Sequence, residues 1–167
     1  AAYPRELAAK QAALEEFWRQ QGLPGRPEPL LASGQPRNYR TTSKRQVGRR
    51  GALYELGYHD ELFQGDPGAL EAPLHGRLYA WFAELLNSRG FSGLAGRINF
   101  IVIRGDAGEP AVILNLDRFD ASVMRSLKRL AGRLQADFPE AASFFAFLDP
   151  SRSEYYLEAR RPARVTS

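Results

Sequence analysis

The chain has 167 residues, enough for one ordinary domain with its own core, and its 44% hydrophobic and 25% charged content is that of a globular protein. No apolar run approaches the ~20 residues a membrane helix needs, and the opening "AAYPRELAAKQ" lacks a charged start followed by an apolar block, so neither a membrane span nor a signal peptide is expected. The formal charge is a modest +4, and the absence of cysteine excludes disulfides, thiolate metal sites and cysteine nucleophiles within the chain, which is compatible with the cytoplasmic setting expected for it.

Pro4 suits the first turn of a helix, where a missing N–H costs nothing. From there Tyr3, Leu7, Leu14, Phe17 and Trp18 fall on one stripe, and Gly22 fits the helix end. Residues 1–22 are therefore expected to form an amphipathic helix. The stretch "LPGRPEPLLASGQP" (23–36) carries four prolines and reads as a linker or a wrapped connection. Then "NYRTTSKRQV", "GRRG" and "ALYELGY" predict a β-hairpin with its turn at Gly48–Gly51. "HDELFQGDPGALEA" is irregular or holds a short third strand.

Pro73 opens a second helix with Leu74, Leu78, Trp81, Phe82 and Leu85 on its apolar stripe. "RINFIVIR" (97–104) reads as a central strand covered on both faces, and "AVILNL" (111–116) as its return. Asp120 can cap a third helix, with Val123, Leu127, Leu130 and Leu134 inward. "AASFFAFL" (141–148) and "EYYLEA" (154–159) read as two more strands. Hairpins with helices between them give an α+β class: a mainly antiparallel sheet with two helices packed on it, plus the N-terminal amphipathic helix. Residues 37–167 would form this α+β domain.

"RNYRTTSKRQVGRR" (37–50) holds six basic residues and no acidic one. Strand alternation puts Arg40, Thr42, Lys44 and Gln46 on one face, and Tyr39, Thr41, Ser43, Arg45 and Val47 on the other. Basic residues beside hydroxyls and a tyrosine supply the donors that phosphate contacts use. A solvated edge strand, protected by lysine against aggregation, accounts for the same charges. Arg125, Lys128, Arg129 and Arg133 form a second basic set on one side of the third helix.

Catalytic constellations are scarce. His59 and His75 are the only histidines, and they read as surface polar residues rather than ligands. Asp60–Glu61 and Glu15–Glu16 diverge in any regular element, which makes them poor acid/base pairs. "SRGFSGLAG" follows a helix instead of opening one after a strand, so it is not a phosphate-cradling loop. Phe144, Phe145, Phe147, Tyr155 and Tyr156 could stack bases, but at strand spacing they read first as core.

"YPRELAAKQAALEEFWRQQGL" resembles the helix that follows the iron–sulfur cysteine motif in the uracil-C5 RNA methyltransferase family. There a tyrosine, a Q/E-L pair and a lysine precede an amphipathic run that ends near a glycine. "EPLLASGQPRNYRTTSKRQVG" is similar to that family's next segment, a proline-containing approach and a Tyr-Arg dipeptide opening a basic strand. The helix at 73–89 and the "RINFIVIR…AVILNL" hairpin match the order and spacing of the family's central domain. The resemblance implies that the domain helps bind rRNA or tRNA through Arg37, Tyr39, Arg40, Thr42, Lys44, Arg45, Arg49 and Arg50. Arg40 and Lys44 match basic positions. Thr42 stands where the family often has Arg or Lys, Arg45 where it often has an apolar residue, and a cysteine often found near Ala72 is missing.

The resemblance also implies that the chain is an excised piece, inert alone. No cofactor is expected in it. The parent enzyme would carry the cluster cysteines before Ala1 and the S-adenosylmethionine domain, with its nucleophilic cysteine, after Ser167. The first helix would then dock on the missing catalytic domain, or fold back, or form a homodimer with a second copy. Two other readings compete: an autonomous RNA-binding module, and a structural or small-ligand-binding α+β domain whose basic strand is merely solvated.

Overall fold

The computed structural model describes residues 2–57, 70–105, 108–141, 143–152 and 163–164. The chain divides into two units, Ala1–Arg37 and Asn38–Ser167.

In the first unit, helix α1 (Ala2–Gln20) is reinforced along its exposed side by Glu6–Lys10 and Glu16–Arg19 pairs. Each such pair is worth only a few tenths of a kcal/mol. Gly22 and Gly25 have positive φ and turn the chain back. The proline-rich stretch then runs along α1 as a wrapped connection. Trp18 Nε1 donates to the Pro24 carbonyl at 3.1 Å, Leu30 N to Gln11 Oε1 at 2.8 Å, and Ser33 N to the Tyr3 hydroxyl at 2.8 Å. Tyr3, Leu7, Leu14 and Trp18 are thereby half-buried, while Phe17 stays 54% exposed.

The second unit holds one mixed sheet. Its strands are β1 (Thr42–Arg50), β2 (Leu53–Gly57), β3 (Ile98–Arg104), β4 (Ala111–Leu116), β5 (Ser143–Leu148) and the two-residue β6 (Ala163–Arg164). They lie in the order β2-β1-β3-β4-β5-β6. All neighbours are antiparallel except β4 and β5. That parallel pair follows from the helix between them, because parallel strands need a long crossover. The fold is thus α+β with a mostly antiparallel sheet.

Helices α2 (Pro73–Asn87) and α4 (Ala121–Asp137), with the short α3 (Ser92–Ala95), supply the main core. Leu78, Phe82 and Leu86 meet Leu127, Leu130 and Leu134 over Ile101, Ile103, Leu114 and Phe144, all almost fully buried. Truncating such a side chain to alanine costs about 3–5 kcal/mol for Phe82. The opposite face of the sheet has its own apolar cluster of Val102, Ile113 and Phe147. Both faces of β3 are therefore buried, as its apolar run indicates. Asp120 caps α4 as its sequence position suggests, its carboxylate accepting from Ser122 N and Val123 N.

The hairpin turn lies further along than expected. Arg50 pairs with Leu53, so the loop is Gly51–Ala52, and Gly48 sits inside the ladder opposite Glu55. A two-residue loop needs positive φ at its first central residue, and Gly51 provides it at +62°. Phe144 and Phe147 are core residues, one on each face of the sheet. The possible third strand after Tyr58, His59, Asp60–Glu61, and the strand at 154–159 with Tyr155 and Tyr156 lie outside the described residues.

Candidate nucleic-acid interface

β1 carries the basic run, and its alternation is the one the sequence indicates. Ser43 and Arg45 face the helices and are buried, while Thr42 and Gln46 are exposed on the other side and Lys44 is half-buried there. Across the ladder Thr42 faces Arg104 and Lys44 faces Val102. Lys44 Nζ lies 4.7 Å from the Phe100 ring centroid, a cation–π contact that holds the ammonium against the sheet. Arg104 is exposed beside Thr42 and joins the basic set from outside the basic run. As the last residue of an apolar strand, its position in the pattern was the available signal.

Tyr39 and Arg40 precede the strand, both exposed. Their backbone is pinned: Arg40 N donates to Leu70 O at 2.8 Å, and Gly105 N donates to Thr41 O at 2.7 Å. Arg40, Thr42, Lys44 and Arg104 therefore crowd the end of the sheet where β1 begins and β3 ends.

Beyond Gln46, β1 pairs among the described residues only with β2, so residues 47–50 and 53–56 form a two-stranded ribbon. Asn87 at the end of α2 anchors it by mimicking a strand. Its Oδ1 accepts from Tyr54 N at 2.7 Å and its Nδ2 donates to Tyr54 O at 2.8 Å. The ribbon carries Arg49 and Arg50 at its tip, with Arg50 only loosely paired to Glu55 at 3.8 Å. Eight residue steps of strand separate Thr42 from Arg50, or about 26 Å at the usual rise. The cations of this surface thus fall into two groups, one at each end of β1.

Two of the expected contacts are elsewhere. Arg45 is not on the surface. Its guanidinium is buried in a bidentate pair with Glu71, at 2.8 Å (Nη1–Oε1) and 2.6 Å (Nη2–Oε2), and it lies 4.4 Å from the Tyr79 ring centroid. A guanidinium whose carboxylate partner is equally buried has no reach left for a phosphate, which corrects its assignment as an RNA contact. Arg37 belongs to the first unit, where it donates to Glu6 Oε2 at 2.8 Å. The Arg37 guanidinium, aided by Lys10, holds the Glu6 carboxyl below the usual range.

His75 is also corrected: it is fully buried, not a surface residue. Its Nε2 faces the Gly105 carbonyl at 2.9 Å and its Nδ1 faces Ser43 Oγ at 2.8 Å, with the Tyr79 hydroxyl 3.0 Å from Ser43. A carbonyl only accepts, so Nε2 donates; with a neutral ring Nδ1 accepts from Ser43, and the Tyr79 hydroxyl, which has Ser43 Oγ at 3.0 Å and the Ile101 carbonyl at 3.4 Å as acceptors, donates to the nearer Ser43. This chain is satisfied throughout and buried, so Ser43 is no nucleophile. His75 fastens β1 to α2 and to Gly105. A Cβ at Gly105 would meet Glu109 O at 2.8 Å, and its φ is +110°, so glycine is required there.

The surface offers cations, hydroxyls and a tyrosine, all hydrogen-bond donors. Among the described residues no cluster of His, Asp or Glu has the makings of a metal site. With no cysteine, the chain supplies no thiolate to an iron–sulfur cluster, so its residues do not fit that group. No protein-family model matches the chain, and no curated protein matches it in sequence.

Proposed function

We propose that this chain is an RNA-binding α+β domain, the RNA-holding part of an S-adenosylmethionine-dependent uracil-C5 RNA methyltransferase whose catalytic domain lies outside it. The observation that carries the RNA reading is the grouping of Arg40, Thr42, Lys44 and Arg104 at one end of β1, with Arg49 and Arg50 at the other. A nucleic-acid strand lying along β1 would meet cations at both ends, with the Thr42 hydroxyl at the first end and the exposed Gln46 amide between, contacts that position the backbone without reading bases. The methyltransferase reading is supported by the sequence resemblance alone.

On this reading the partners are rRNA or tRNA and the catalytic domain of the parent chain, in a cytoplasmic setting. α1, with Phe17 exposed, is the element that meets that domain or a second copy. S-adenosylmethionine and the iron–sulfur cluster belong to the rest of the parent protein, and the chemistry is done there. The chain's own residues bind and orient RNA.

Two tests separate the layers of the proposal. Binding of a short structured RNA to the 167-residue chain, weakened by Lys44→Glu and Arg104→Glu, supports the RNA layer. The parent reading frame tests the methyltransferase layer: a C-x-x-C-type cysteine group upstream and an S-adenosylmethionine domain downstream support it, and a stop codon soon after Ser167 sinks it.

A further inference from the structure

We propose that the cleft between α3 and the first turns of α4 is an oxyanion site that takes a phosphate group. The cleft has a volume of about 320 Å³ and is lined by three arginines from three different segments: Arg97 ahead of β3, Arg118 in the loop between β4 and α4, and Arg129 on α4. Ser122 and Ser126 join them, one helical turn apart and so on the same side of α4.

Each guanidinium is held in place. Arg97 faces Asp117 at 3.7 Å and Arg118 faces Asp120 Oδ2 at 3.3 Å. Arg129 donates to the Gly90 carbonyl at 2.6 Å and lies 5.1 Å from the Phe91 ring centroid. Among the described residues Asp120 is the one carboxylate in the lining. Its Oδ1 is occupied by the backbone N–H groups of Ser122 and Val123. The helix end is therefore already capped, and the site rests on the side chains. Arg97 and Arg118 each face a carboxylate and Arg129 faces only a carbonyl, so the three guanidiniums keep a positive excess in the cleft. Guanidinium forks match phosphate oxygens bidentately, and the two hydroxyls add donors that a carboxylate, with fewer oxygens, would use less fully.

The cleft lies toward the ribbon end of the sheet. Arg49 pairs with Tyr54, and the Tyr54 hydroxyl packs so closely on Gly96, next to Arg97, that a Cβ there would meet it at 2.9 Å. The phosphate can therefore come from an RNA backbone that passes the ribbon tip, or from a small phosphorylated molecule. The site itself does not depend on the RNA reading.

The test is a titration of the isotopically labelled full chain, followed by backbone NMR, with inorganic phosphate and with chloride at equal ionic strength. Saturable shifts at Arg97, Ser122 and Ser126 with phosphate alone are expected. Binding should weaken about tenfold or more in Arg118→Gln, whose side chain is 54% exposed, and in Ser126→Glu, with melting temperatures unchanged. Arg125→Gln, outside the cleft, should bind as the wild type. In an RNA arm, an affinity that falls in Arg118→Gln assigns the phosphate to an RNA backbone. An RNA affinity that is unchanged, or absent in the wild type, assigns it to a small phosphorylated molecule. Shifts that do not saturate, that chloride reproduces, or that survive both cleft variants show an adventitious ion only and overturn the site.

Discussion

Arg45 and Glu71 form a bidentate ion pair with side chains only 7% and 5% exposed. The pair joins β1 to the segment that enters α2, whose backbone also bridges to Arg40. By holding the Arg45 side of β1 against the helices, it commits the Thr42 and Lys44 side to the opposite face.

Removing one partner should be far worse than removing both. Glu71→Ala strands a buried guanidinium and should cost about 3–5 kcal/mol in urea unfolding. Arg45→Met combined with Glu71→Met should recover most of that, because an ion pair replaced by apolar groups of similar volume is often neutral. Equal stability of Glu71→Ala and wild type would mean that the pair is solvated.

The hydrogen-bond chain through His75 gives a second prediction. Ser43→Ala removes the donor to Nδ1 and the acceptor for Tyr79 together, and should cost about 1–3 kcal/mol. Tyr79→Phe keeps the ring beneath Arg45 and should cost about 1 kcal/mol. Nitrogen NMR should show the proton of His75 on Nε2. A proton on Nδ1 alone would contradict the assigned direction of the chain.

Asp120 links the α4 cap to pH. The Val123 backbone N–H is the main cause that holds its carboxyl below the usual aspartate range, with the Ser122 N–H and Arg118 adding to it. A depressed carboxyl contributes stability above the unfolded value, about pH 4, and that contribution is lost as pH falls through the folded value. Asp120→Asn keeps a capping acceptor, so its melting temperature should trail the wild type by a constant amount above pH 5. The gap should close below about pH 4. A gap that widens on acidification would reverse the sign and reject the cap as its cause.

The helices were the most legible part of the fold. Leu74, Leu78, Phe82 and Leu85 on α2, and Val123, Leu127, Leu130 and Leu134 on α4, are all buried as their spacing indicates. His75 belongs to the same pattern: with Tyr79, Phe82 and Leu86 it repeats at intervals of four, three and four, which could have placed it inside. Alternation also split the basic strand correctly. It could not say which face is buried, because Arg45 goes inside only with Glu71, 26 residues away, and no local pattern shows that pairing. The cleft between α3 and α4 was illegible for a similar reason. Arg97, Arg118 and Arg129 come from separate segments and meet only in the folded chain.

The basic residues where β1 begins should act individually and without sequence preference. Lys44→Gln and Arg104→Gln should each weaken RNA binding to a similar degree across unrelated sequences. Each should lower the salt slope by about one if its cation neutralises one phosphate. Loss of binding to one sequence only would mean base readout instead.

The RNA-binding claim is tested most directly by the salt dependence of RNA affinity of the whole chain. Arg40, Lys44, Arg50 and Arg104 are the cations on one face at the two ends of β1, so about four phosphates should be neutralised. The plot of log K against log salt should then fall with a slope between about −2.8, for single strands, and −3.6, for a duplex. The variant carrying Lys44→Glu and Arg104→Glu should give weaker binding and a shallower slope. RNA binding that is absent, or that does not change with salt, would contradict the account and leave the basic strand as a solvated edge.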